Sequence, residues 1–133
     1  MMTPVEQMRN PAATLQALLE AIETLAPDSA QWWSFTVSHG RFLLRLYRSG
    51  AADDLIVAAI GASHIAGPTH WPTPALRFTI NPENGSGTPQ SPWLIADDNC
   101  GFTVHCSNLY WGMNVDWYNP ESWFATGAHP GVA

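Results

Sequence analysis

Only one stretch of this 133-residue chain carries its apolar side chains at helical spacing, and the residues beyond it read as strands, turns and loops. Leu15, Leu18, Leu19, Ile22 and Leu25 recur three or four residues apart, while Gln16, Glu20 and Glu23 fall on the other side. Asn10 suits a helix cap, and Pro11 suits the first helical position, where its missing N–H costs nothing. Pro27 stops the helix close to Ala26. Burying each of the five aliphatic side chains is worth roughly 1.5–3 kcal/mol, so the helix must dock on something large. Without long helices between strands, the sheet is expected to be antiparallel.

From Gln31 the period changes to two. Trp33, Phe35 and Val37 alternate with Ser34, Thr36 and Ser38, and after His39-Gly40 the residues Phe42, Leu44 and Leu46 alternate with Leu43, Arg45 and Tyr47. Two alternating runs joined by an X-Gly pair predict a β-hairpin, because glycine accepts the positive φ such turns need. Leu55–Ile60 is almost continuously apolar, the pattern of a central strand buried on both faces. Residues 64–74 read as loop, punctuated by Gly67-Pro68, Pro72 and Pro74. Leu76, Phe78 and Ile80 predict a further strand. Asn81–Pro92, rich in proline and glycine, predicts a flexible segment. Trp93–Ala96 and Phe102–Cys106 predict a second hairpin around Asp97-Asp98-Asn99, and Tyr110–Tyr118 a last strand kinked at Gly112. Glu121–Phe124 suits a short helical turn.

This order defines an α+β fold. The N-terminal helix packs on one face of a five- to seven-stranded antiparallel sheet, and the aromatic-rich C-terminal segment lies on the other. The length suits a single domain spanning residues 1–133, with 1–9 and 127–133 frayed at the ends.

Composition narrows the partners. A formal charge of −6, with five arginines and no lysine, argues against nucleic acid, which requires clustered cations. The longest apolar run, Leu55–Ala62, is far shorter than the ~20 residues that span a bilayer. The N-terminus lacks the basic and apolar regions of a signal peptide. Cys100 and Cys106, at the ends of a five-residue stretch read as strand, stand roughly 20 Å apart at ~3.3 Å per residue, too far for a disulfide. Reduced thiols suit a cytoplasmic, bacterial-type protein.

The reactive residue types form no established motif. His64, His70, Cys100, His105 and Cys106 lack the paired spacing of zinc ligands. His105 and Cys106 point to opposite faces of one strand, the first toward solvent and the second toward the core. Ser63-His64 lacks the G-x-S-x-G elbow of a hydrolase, and Gly85-Ser86-Gly87-Thr88 is followed by neither lysine nor helix, as phosphate binding would require. Asp53-Asp54 and Asp97-Asp98 read as turn formers. No cofactor is implied, and a hydrolase or a metal site using His64, His70 or His105 is a weak further alternative.

Tryptophan stands above background. The chain has seven, and Trp93, Trp111, Trp117 and Trp123 cluster toward the C-terminus with Tyr110, Tyr118 and Phe124, interleaved with Asn108, Asn114, Asp116 and Asn119. A small sheet with one helix cannot bury so many large rings, and exposed Trp and Tyr dominate recognition surfaces. Charged residues make up only 12% of the chain, about half the usual share of roughly 25%, which also favours interfaces. These features predict a non-enzymatic module that binds a protein partner or forms a homodimer through an aromatic sheet face. The alternative is a small-molecule pocket, suited to a sugar-like ligand. His70, Trp71, His105, Trp111, Asp116 and Trp117 are the candidate binding residues for either.

Overall fold

The computed structural model describes residues 3–37, 40–80 and 92–115. Among them are two helices, α1 (Pro4–Arg9) and α2 (Pro11–Leu25), and nine strands: β1 (Ser29–Thr36), β2 (Arg41–Tyr47), β3 (Asp54–Ile60), β4 (His64–Ala66), β5 (His70–Pro72), β6 (Arg77–Thr79), β7 (Trp93–Asp97), β8 (Phe102–Cys106) and β9 (Asn108–Met113). The α+β class and the antiparallel pairing agree with the sequence, but the strands form two sheets where one was expected. A five-stranded sheet has the order β5-β1-β2-β3-β9, and a four-stranded sheet has the order β4-β8-β7-β6. The difference comes from β4 and β5, three residues each, which lie in the stretch read as loop. Strands that short show no periodicity, yet they send the chain to the second sheet and back.

Two glycines permit the crossings. Gly61 leaves β3 with φ +64, and a Cβ there would collide with the Ser107 side chain, whose Oγ donates to the Ile60 carbonyl at 2.9 Å. Gly67, at φ +119, passes so close to the Phe102 backbone that a side chain would not fit. The chain thus turns from β3 into β4 and from β8 into β9 at one tight junction.

The helix boundaries follow the capping chemistry. The Asn10 side chain accepts from the Ala13 amide, Pro11 opens α2, and Ala26 closes it in the left-handed conformation. Four of the five aliphatic residues expected on its buried face pack as expected, with Leu15 and Ile22 half-buried against the main core, and Leu19 is the exception. Leu18 and Leu25 are buried in the main core and Ala21 packs against it, while Leu19 is 45% exposed. Thr14, Leu18, Ala21 and Leu25 follow a 4-3-4 spacing on one stripe, and Leu19 sits about 100° around the helix from Leu18.

Residues 4–9, expected to fray, form α1. Thr3 and Glu6 build a reciprocal capping box, which holds the Glu6 carboxyl below its ordinary range through the Thr3 amide and hydroxyl. Gln7 is fully buried. Its Nε2 donates to the Trp111 carbonyl at 2.9 Å, and its Oε1 accepts from the Trp111 amide at 2.8 Å. One side chain thus pairs with the outer edge of β9 as a neighbouring strand would, and the Asn108 Nδ2 donates to the Met8 carbonyl nearby.

The β1–β2 hairpin pairs as expected, but a register shift between Trp32 and Ser34 changes its facing. Ala30 and Trp32 reach the main core, whereas Phe35 and Val37, the apolar members of the alternation read with Trp33, are exposed. β3 has the predicted central place: Leu55, Val57 and Ala59 serve the main core, and Ile56 and Ala58 a second cluster on the other face. The predicted β7–β8 hairpin also forms, and β9 pairs in register with β3 through Gly112 with no kink. Both cysteines are free thiols.

Of the aromatic residues in the C-terminal part, Trp93 and Trp111 belong to the main core and Tyr110 to the second cluster. The flexible segment read over 81–92 lies, through residue 91, outside the described residues. The same holds for the short helical turn at 121–124 and the frayed tail at 127–133.

The main core is aromatic where the two sheets meet. Trp71 and Phe102 have ring centroids 4.6 Å apart, and Trp32 meets Phe42 edge-on at 5.1 Å. Beneath these rings lies Asp97, 1% exposed. Its Oδ2 accepts from the Trp71 indole and the Ala75 amide, both at 2.9 Å, and its Oδ1 from the Asn99 amide at 3.1 Å. The last bond is the turn role expected of Asp97; the other two tie β5 and the chain before β6 to the end of β7. Asp54, also read as a turn former, is instead a buried strand residue that receives the Arg45 Nε at 3.0 Å.

Candidate functional site

An open groove of about 770 Å³ lies between α2, β9 and the β2–β3 turn. Its helical wall presents Ala13, Ala17 and Ala21, whose i, i+4, i+8 spacing aligns three methyl groups along one flank. Leu25 continues that wall, and Trp111 and Met113 of β9 supply the opposite one. Trp111 is 3% exposed, so it meets the groove through a narrow strip of its ring, fixed by the Gln7 bonds to its backbone. The groove exists because alanine fills the space where a longer side chain would reach β9.

Charge is confined to the rim, where Glu20, Arg48 and Asp53 are all exposed. The Arg48 charge acts on Asp28, whose carboxyl is held below its ordinary range first by the Ser49 amide and then by Ser29, Ser49 and Arg48. Asp53 receives the Asn114 Nδ2 at 2.9 Å. With Arg48 shared with Asp28, the balance at the rim is acidic, in keeping with the net charge of −6.

The sequence candidates disperse. Trp71 is 4% exposed and its indole is bound by Asp97, which makes it a core residue. His70 lies on the outer side of β5, exposed, with its Nε2 3.0 Å from the Tyr47 hydroxyl and its ring stacked on the Tyr47 ring. His105 is half-buried on β8, directly opposite His64 of β4. Of the described candidates, Trp111 alone lines the groove. Asp116 and Trp117 lie outside the described residues. Of the three histidines read together as a weak metal site, the fold joins His64 to His105 and carries His70 to the other sheet.

Near His70, the outer face of the five-stranded sheet carries a cation–aromatic stack. The Arg45 guanidinium lies 4.3 Å from the Tyr47 ring centroid and 5.9 Å from that of Trp33, and Asp54 anchors its Nε. Burial pushes the Cys106 thiol up to about 12, so it stays protonated at neutral pH. The Ser63 hydroxyl donates to the His105 carbonyl at 3.3 Å.

Comparison with protein-family models, curated proteins and solved structures gives no match. Apart from Trp111, the groove residues escaped the sequence reading as site residues, although the alanine spacing was visible in it. Three alanines on a helix flank acquire meaning only when a distant strand stands opposite them.

Proposed function

We propose that this protein is a non-enzymatic binding module whose groove takes a small amphiphile with a cationic end. The groove itself carries this reading: about 770 Å³ lies within the ~300–1,000 Å³ typical of small-ligand sites. The apolar body of the ligand lies along Ala17, Ala21, Leu25, Trp111 and Met113, where burial supplies the affinity. Its charge rests against Glu20 and Asp53, whose acid balance favours a cation over an anion. A cytoplasmic setting belongs to the same proposal and accords with the two free thiols.

Titration with submicellar dodecyltrimethylammonium, followed by calorimetry, tests this. One molecule should bind per chain, dodecyl sulfate should bind more weakly, and Glu20→Gln with Asp53→Asn should narrow that difference. Equal binding of the two detergents would remove the cationic preference, and no binding of either would remove the groove from consideration.

A second reading rests on the Trp33–Arg45–Tyr47 stack. Trp, Tyr and Arg are the residue types that dominate protein interfaces, and here they share the outer face of a sheet. On this reading the protein self-associates through that face. Sedimentation velocity at micromolar concentration should show a dimer that Tyr47→Ala weakens; a monomer at all concentrations would discard it.

A further inference from the structure

We propose that His64 and His105 form a two-point clip for an imidazole-preferring divalent transition ion, with Cu²⁺ bound most tightly and Ni²⁺ and Zn²⁺ less so. The two residues are direct cross-strand partners in the β4–β8 ladder, which puts both side chains on one face of the four-stranded sheet. Their ring centroids are 5.5 Å apart with an interplanar angle of 78°. An ion held by one nitrogen of each ring at ~2.0–2.1 Å would set the centroids roughly 4.5 Å apart with the cis angle of tetragonal copper and roughly 5 Å apart in tetrahedral geometry. The observed separation is therefore close to that of a chelating pair, and small rotations about the side-chain torsions complete it.

The setting favours an ion over a purely structural ring pair. His64 is exposed on the edge strand β4, so solvent and metal reach it freely, while His105 is half-buried and held by the central strand β8. One ligand is thus fixed and the other free to adjust. Ser63 packs its hydroxyl against the His105 carbonyl and pins the start of β4 in register. The chain's net charge of −6 draws cations to its surface. Imidazole selects copper, nickel and zinc over calcium and magnesium, which need oxygen ligands. Two protein ligands leave the remaining coordination positions to water, so the clip binds its ion reversibly and does not bury it.

The test uses the full untagged chain, titrated with Cu²⁺ by calorimetry and examined by electron paramagnetic resonance. The wild-type protein should bind an ion with two nitrogen ligands resolved in the hyperfine pattern. His64→Ala should weaken that binding about tenfold or more, because the second imidazole no longer acts at high effective concentration beside the first. His105→Asn should do the same, and His70→Ala should change it less than twofold. His64 is exposed at a sheet edge, so its loss leaves the fold intact, which a thermal melt checks. Wild-type affinity in both His64→Ala and His105→Asn would overturn the clip, as would a one-nitrogen signal in the wild-type protein.

Discussion

The main core meets its two covers in opposite ways. Where the four-stranded sheet closes it, Trp71, Phe102 and Trp32 pack ring against ring, and the carboxylate of Asp97 satisfies the indole beneath them. Where α2 approaches β9, the facing residues are Ala13, Ala17 and Ala21, and a groove remains. Side-chain volume alone separates a sealed junction from an open one. The sealed side fixes the fold, which leaves the open side free for recognition.

The sealed side should respond strongly to mutation. Asp97→Ala leaves the Trp71 indole and the Ala75 amide without their acceptor in a buried site, and should cost about 3 kcal/mol, read by urea denaturation. Next comes Gln7→Ala, which exposes the β9 edge at Trp111 and removes two buried hydrogen bonds. About 2 kcal/mol should be lost, visible as a lower thermal midpoint.

The helix tests the comparison directly. Leu18→Ala should cost roughly 2–5 kcal/mol, whereas Leu19→Gln should stay within about 0.5 kcal/mol, because Leu18 is buried and Leu19 faces solvent. Equal effects would mean that Leu19 is buried along with Leu18, as the sequence pattern alone predicts.

The smallest effect concerns Asp28. Its carboxyl titrates lower in the folded chain than in the unfolded one, so its contribution is present above the unfolded pKa and is lost as pH falls through the folded value. Asp28→Asn should therefore lower stability at neutral pH and flatten its decline under acid, as followed by denaturant midpoints across pH.

Local chemistry made part of this fold legible. Asn10, Pro11 and Pro27 bounded α2 because capping and proline sterics act within a few residues, and the continuous apolar run at Leu55–Ile60 announced a central strand. Features that depend on distant partners were not legible. α1 offers only Val5 and Met8 as apolar residues, and its anchor is a polar Gln7 that meets β9 from the far end of the chain. β1 alternates cleanly in sequence, yet the irregularity after Trp32 brings Phe35 opposite Phe42 on the face that Trp32 shares, where it stays 43% exposed. The candidate site shows the same limit. Trp71 was singled out for its ring and lies in the core, while the pairing of His64 with His105 depends on a three-residue strand too short to show a pattern.

The groove is tested most directly by filling it. Ala17→Phe places a ring against Trp111 and Met113 from the opposite wall, at a position that is half-buried and therefore tolerant of the change. Calorimetric titration of dodecyltrimethylammonium into the wild-type protein should give saturable binding of one molecule per chain. The same titration into Ala17→Phe should show that binding weakened tenfold or more, with the thermal midpoint preserved. Unchanged binding in the filled variant would place the ligand elsewhere and contradict the account.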